Sequence, residues 1–99
     1  MRTMMRVTIP VDAGNDAIRS GRLPQLLQEV MGKMQPEAAY FTADGGSRTV
    51  YMVFDMKDSS DIPGLAEPFF TELMADVEFM PVMNAEDLKK GLARIATSA

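Results

Sequence analysis

An α+β fold with its elements in the order β-α-β-β-α-β is predicted by three features of this chain. Met5, Val7, Ile9 and Val11 alternate with Met4, Arg6, Thr8 and Pro10, which is the period of a strand with one covered face. Asp44-Gly45-Gly46-Ser47 separates two strand-like runs at the spacing of a tight hairpin. Elsewhere, apolar residues recur at three- and four-residue intervals, the mark of helices that bury one stripe.

The first strand is expected over residues 4–11. Residues 12–20 read as a loop with one helical turn, Gly14-Asn15-Asp16 offering a cap ahead of Ala17-Ile18. The main helix follows over 23–34, with Pro24 in its first turn and Leu23, Leu26, Leu27, Val30, Met31 and Met34 on one stripe. Pro36 ends it, because the residue before a proline avoids helical angles. Strands are expected at 38–43 and 48–56, joined by the glycine turn. Asp61 is expected to cap a helix over 62–74, with Pro63 just inside it and Pro68 bending or splitting it. The last strand covers 76–83, where Pro81 marks a sheet edge or a bulge that would flip the residues after it. Asn84 and Asp87 form a capping pair for a final helix over 85–96, with Leu88, Leu92 and Ile95 as its apolar stripe.

Strand, helix, hairpin, helix, strand is the ferredoxin-like arrangement: a four-stranded antiparallel sheet with helices on one face, here with an extra C-terminal helix. The first strand then lies between the third and the fourth. If Met5, Val7 and Ile9 face the helices with Phe41, Met52 and Phe54, the free face takes Arg6, Thr8, Tyr40, Thr42, Tyr51, Val53 and Asp55. Glu78, Met80 and Val82 join it from the last strand. That face is half apolar, so a partner over it is expected. A second copy would give a homodimeric α+β barrel with a lumen between the sheets, the final helix bracing the dimer or covering a sheet edge.

With 99 residues the chain is expected to form a single domain, residues 1–99. It has no cysteine, hence no disulfide and no thiolate nucleophile or metal site. It has no histidine either, which removes the commonest general base and metal ligand. No cofactor and no metal are therefore expected. The net charge of −4, without a basic stripe, argues against nucleic acid as a partner. No apolar run approaches the roughly 18 residues of a membrane helix, and the first residues lack the apolar core of a signal peptide. A cytoplasmic location away from membranes follows as the expectation.

Five constellations carry the chemical possibilities. On the free face, Asp55 and Glu78 are expected near one end, flanking the first strand, with Arg6, Tyr51 and Arg48 toward the other. A desolvated carboxylate with a raised pKa serves as a general base, and Arg or Tyr steadies an oxyanion. Arg6, Tyr40, Thr42, Tyr51 and Met80 are the expected ligand-binding residues, and Asp55 and Glu78 the candidate catalytic ones. The plainer alternative pairs these groups across a dimer, without a reaction. Asp55, Asp58 and Asp61 offer oxygen ligands, but lack the spacing of a calcium loop and read better as turn acids with one cap. Ten methionines suggest copper only in the abstract; Met31, Met34, Met52 and Met56 fall on core stripes, and Met74, Met80 and Met83 suit an interface. Gly45-Gly46 precedes a strand rather than a helix, so it is a hairpin turn and not a phosphate cradle. In Glu67-Pro68-Phe69-Phe70, one ring is expected in the core, with Glu67 as an outlying polar site residue.

Three segments carry a resemblance: Pro36-Glu37-Ala38-Ala39-Tyr40-Phe41, Ile62-Pro63-Gly64-Leu65-Ala66-Glu67-Pro68-Phe69-Phe70 and Pro81-Val82-Met83-Asn84-Ala85-Glu86-Asp87-Leu88. Together they resemble a family of small bacterial proteins, stand-alone dimeric α+β-barrel domains without an established activity. The resemblance spans most of the chain after residue 17 and implies the fold and a homodimer, but no chemistry. Better-known barrels of this type include cofactor-independent monooxygenases, muconolactone-isomerase-like enzymes and haem proteins, and the last resemble this chain poorly because it has no histidine. Three functional readings stand at this point. The first is a binder of a small apolar or aromatic molecule in the lumen, or an accessory subunit. The second is a cofactor-independent monooxygenase- or isomerase-like enzyme using Asp55 or Glu78 as base. The third is an interaction module whose free face takes another protein.

Overall fold

The alternation read in the first strand holds along all of β1 (Arg2–Ile9), where Thr3, Met5, Val7 and Ile9 are buried and the residues between them are half-exposed. The computed structural model describes residues 1–98. After β1 come α1 (Val11–Arg19), α2 (Arg22–Met34), β2 (Ala38–Asp44) and β3 (Ser47–Asp55). A 3-10 turn at Ser59–Asp61 leads into α3 (Ile62–Leu73), β4 (Asp76–Pro81) and α4 (Ala85–Ser98). The strands form one antiparallel sheet in the order β2-β3-β1-β4, the α+β arrangement expected.

The inner face of this sheet meets one layer of helices. Met5, Val7 and Ile9 from β1 and Val50, Met52 and Phe54 from β3 pack against Ala17, Leu23, Leu26, Val30 and Met34 of α1 and α2. Leu65, Phe69 and Leu73 of α3 complete the core, and Phe69 and Leu73 are fully buried. The methionines expected inside are there: Met34, Met52 and Met56 are buried and Met31 packs against the core. Phe41 does face the helix side, opposite Val50, but it lies on an edge strand that the helices do not cover and stays 55% exposed.

Local chemistry explains most boundaries. Gly45 and Gly46 both take positive φ, +60° and +82°, so β2 and β3 close with a two-residue loop that glycine alone fills without strain. Pro81 ends β4 opposite Thr3 without a bulge, and the register of β4 is unbroken from Asp76. The next amide, Val82 N–H, donates to Arg2 C=O at 3.1 Å, so the alternating ladder turns the proline nitrogen to the open edge. At α4 the capping pair is reciprocal: Asp87 N–H donates to Asn84 Oδ1 at 2.9 Å, and Asn84 N–H donates to Asp87 Oδ2 at 3.1 Å.

Three expectations are corrected. Residues 11–19 form a nine-residue helix rather than a loop with one turn. Gly14 there is closely packed rather than a breaker: a Cβ at this position would lie 2.6 Å from Arg48 Nη1, the movable end of a long side chain, and 3.3 Å from Ile9 Cγ2. Asp61 makes no side-chain cap for α3; instead Asp58 Oδ1 accepts from Ser60 N–H at 2.9 Å and caps the preceding turn. Pro68, expected to bend or split α3, does not split it, because burial of Leu65, Ala66, Phe69 and Leu73 outweighs the one backbone bond that proline forgoes.

One element stands apart. Leu88, Leu92 and Ile95 of α4 remain exposed, and among the described residues none of α4 belongs to the core. The molecule is accordingly long, 56 × 27 × 18 Å, with a radius of gyration of 16.0 Å. A compact chain of this length has a radius near about 13 Å.

Two substitutions test the packing. Phe69→Ala is expected to lower stability by about 3–5 kcal/mol in urea denaturation, as a cavity opens where the ring was fully buried. Gly32→Ala is expected to raise it by about 0.5–1 kcal/mol, since Gly32 lies within α2 with open space at its Cβ.

Candidate functional site

The three helices α1 to α3 leave the other face of the sheet open, and the register arranges that face in cross-strand rows. Glu78, Arg6, Tyr51 and Tyr40 form one row, read from β4 to β2. Met80, Met4, Val53 and Ala38 form the neighbouring row, and Asp76, Thr8, Thr49 and Thr42 the row on its other side. The outcome is a central polar row with an apolar strip on one flank and threonines on the other.

Arg6 organises the central row. Its Nη2 donates to Asp44 Oδ2 at 3.2 Å, and its Nη1 lies 3.8 Å from Glu78 Oε2. The guanidinium carbon sits 5.8 Å from the centroid of the Tyr51 ring, within range of a cation–π contact. Tyr51 in turn donates its hydroxyl hydrogen to the same Asp44 oxygen at 2.6 Å. That bond to a carboxylate holds the Tyr51 phenol above its ordinary pKa; burial adds to the effect and the Arg6 charge opposes it. Arg6 Nε is buried and finds no hydrogen-bond partner among the described residues. Tyr40 stands beside Tyr51 and is 68% exposed, Thr42 is exposed next to Thr49, and Met80 is half-buried beside Met4.

The carboxylates depart from expectation. Asp55 lies opposite Arg2 while Glu78 lies opposite Arg6, four residues further along β1 and roughly 13 Å of strand rise away, so no carboxylate pair forms. Lys57 Nζ donates to Asp55 Oδ2, and the Met1 amine donates to Oδ1 at 2.7 Å. These contacts, the Lys57 bond first, hold Asp55 down to about 2 rather than raising it. A carboxylate this acidic is a weak base. Arg48 is also placed otherwise than expected: it points to the helix side, donating from Nη2 to Asn15 Oδ1 at 3.0 Å and from Nη1 to Val11 C=O at 3.4 Å. Glu67 lies exposed on α3, which packs on the other side of the sheet, so it does not join the row.

Asp44 is the residue the sequence reading missed. It was assigned to the hairpin turn, yet β2 continues through it, and its parity with Tyr40 and Thr42 puts it on the open face. One cleft of a single copy lies away from this row. The cleft between the end of α2 and the start of α3 measures about 470 Å³ and is lined by Lys33, Phe54, Lys57, Ser60 and Leu65 among others. Among the described residues, no cluster of acidic side chains is placed to hold a metal ion, and no helix is long and apolar enough to cross a membrane.

Two titrations check these contacts. In a Tyr40→Phe variant Tyr51 is the sole tyrosine, and its absorbance titration is expected to have a midpoint above the ordinary value of about 10. Adding Asp44→Ala should return the midpoint toward that value. Because the folded pKa is the higher one, this bond stabilises the fold below the ordinary pKa and loses its effect as pH rises through the folded midpoint. For Asp55 the sign is opposite: its contribution is present above 3.8 and is lost as pH falls through about 2. Carboxyl-carbon NMR should show the Asp55 midpoint rising in Lys57→Gln, and an unmoved midpoint would contradict the assigned contact.

No curated protein matches this sequence. A family model described as a domain of unknown function, DUF3303, matches residues 1–96, and the chain belongs to that family.

Proposed function

We propose that the open sheet face is half of a lumen formed by two copies of this chain, and that the lumen takes a small, uncharged apolar or aromatic molecule. The observation that carries this reading is the composition of the open rows: the half-buried Met4, Val53 and Met80 lie beside two tyrosines on a face that α1 to α3 leave uncovered. A second sheet packed at the usual separation of about 10 Å covers such a face while leaving room over its smaller residues. Arg6, Tyr40, Thr42, Tyr51 and Met80 are the residues proposed to touch the ligand.

The polar row supports the choice of an uncharged ligand. Arg6 already faces two carboxylates, Asp44 and Glu78, so the row as a whole is not a receptor for an anion. Tyr40 and the open threonines supply hydroxyls, which suit a ligand with one hydroxyl or carbonyl. The enzymatic alternative, a cofactor-independent monooxygenase or isomerase, is supported less well. Asp55 is too weak a base for proton abstraction, and Glu78, the remaining candidate, faces a guanidinium. Binding, or an accessory role in a larger assembly, accounts for the same residues without a catalytic group.

Sedimentation equilibrium is expected to give a dimer for the wild-type protein. Val53→Glu, which puts a charge in the apolar row, should weaken that dimer at least tenfold while leaving the circular dichroism spectrum intact. In calorimetry p-cresol should bind the dimer and the shape-matched anion p-toluate should bind at least tenfold more weakly. A monomeric wild type, or a preference for p-toluate, would overturn the proposal.

A further inference from the structure

We infer that Asp44 sets the class of ligand the open face accepts: its carboxylate fills, from within the chain, the place where Arg6 and Tyr51 would otherwise hold the carboxylate of a ligand. This rests on the reading of that face as the ligand-binding one, and it names the residue that keeps anions off it.

The first observation is two donors aimed at one atom. Arg6 Nη2 reaches Asp44 Oδ2 at 3.2 Å, and the Tyr51 hydroxyl reaches the same oxygen at 2.6 Å. A guanidinium and a phenol converging on one oxygen form the arrangement that receives a carboxylate. Tyr51 keeps the hydrogen it needs for this, since the bond to Asp44 is the first cause holding its pKa above the ordinary value of about 10.

The second observation is the reach of Arg6. β1 and β2 are not neighbours, because β3 lies between them. Two strand spacings of about 4.8 Å separate the pair, so the Arg6 side chain crosses β3 to meet Asp44. Thr49 of β3 faces the same way as Tyr51 and is only 1% exposed, so the sheet is closed over at this point rather than loosely solvated. Asp44 is the last residue of β2, paired with Ser47 across the two-glycine turn, and that tight closure fixes where its carboxylate stands.

The third observation is that the two carboxylates near Arg6 are unequal. Glu78 Oε2 lies 3.8 Å from Arg6 Nη1, an ion pair without a hydrogen bond. Arg6 Nε is buried and unpartnered among the described residues, so the outer nitrogens carry the contacts of the guanidinium. Neutralising Glu78 removes one negative charge and leaves Nη2 and the phenol occupied. Removing the Asp44 side chain takes away the same charge and vacates both donors. The two substitutions therefore separate occupancy of the site from its net charge.

Calorimetry with p-toluate and p-cresol reads the difference. Asp44→Ala is expected to bind p-toluate roughly tenfold or more tightly than the wild type does, erasing or reversing the preference for p-cresol. The affinity for p-cresol itself is expected to change by less than about threefold, with dimer and circular dichroism spectrum intact. Glu78→Gln is expected to strengthen p-toluate by less than about threefold, and adding Tyr51→Phe to Asp44→Ala should remove part of the gain. Asp44→Ser vacates the same donors and gives the same reading should the alanine variant not fold. If the Asp44 variants gain nothing for p-toluate, or Glu78→Gln gains as much, the role given to Asp44 is overturned; the reading of the face stands as long as the wild type prefers p-cresol. A wild type that is monomeric or prefers p-toluate overturns that reading and this inference with it.

Discussion

Thr3, Met5, Val7 and Ile9 are sealed beneath the helices, and the placement of everything else on the sheet follows from that alternation. β1 is one of the two inner strands, flanked by β3 and by β4, so its register sets theirs. A slip of one residue would drive Arg6 into a core of Leu26, Met52 and Phe69 and push the apolar set of β1 into water. An unpaired buried charge is among the most costly faults a core can carry. The register is therefore held by burial on one face. The other face inherits it, and that is how Arg6 comes to lie opposite both Tyr51 and Glu78.

The same constraint accounts for the character of the open face. Its ion pairs are partly exposed, and pairs of that kind contribute little to stability, about 0–1 kcal/mol each. The Arg6 row matters less as a fastening than as a shaped and charged surface. Asp44 accepts from both Arg6 and Tyr51, fixing the guanidinium and the phenol in one arrangement. Beside that row, Met4, Val53 and Met80 give the face its apolar half. A fixed polar row next to an adaptable methionine strip suits recognition of a small molecule better than it suits proton transfer.

What could be read from the sequence was whatever a local period decides. The β1 alternation, the α2 stripe, the glycine hairpin and the Asn84–Asp87 cap each concern residues close in the chain, and each is found in the structure. What escaped was decided by contacts between distant residues. The Gly14-Asn15-Asp16 run looks like a turn because its propensities are poor. It is helical with Ala17 buried in the core and Gly14 packed close to Ile9 and Arg48, contacts that lie outside the segment. The parity of Asp55 was legible, but its neighbours were not: Lys57, two residues on, turns back to it and the distant Met1 amine joins from the residue before β1, which makes it an unusually acidic carboxylate. Arg48 shows the reverse case. Alternation alone assigns it to the helix face, yet a charged residue is not expected there until α1 supplies Asn15 and the Val11 carbonyl as acceptors.

The open face is a surface that a single chain leaves uncovered, and the account holds that a second copy covers it. Native mass spectrometry of freshly purified protein, followed by denaturing release of anything bound, tests that claim most directly. The account predicts a two-chain species that carries a small uncharged molecule and gives it up on denaturation. A species of one chain at concentrations where homodimers of this size persist would contradict it.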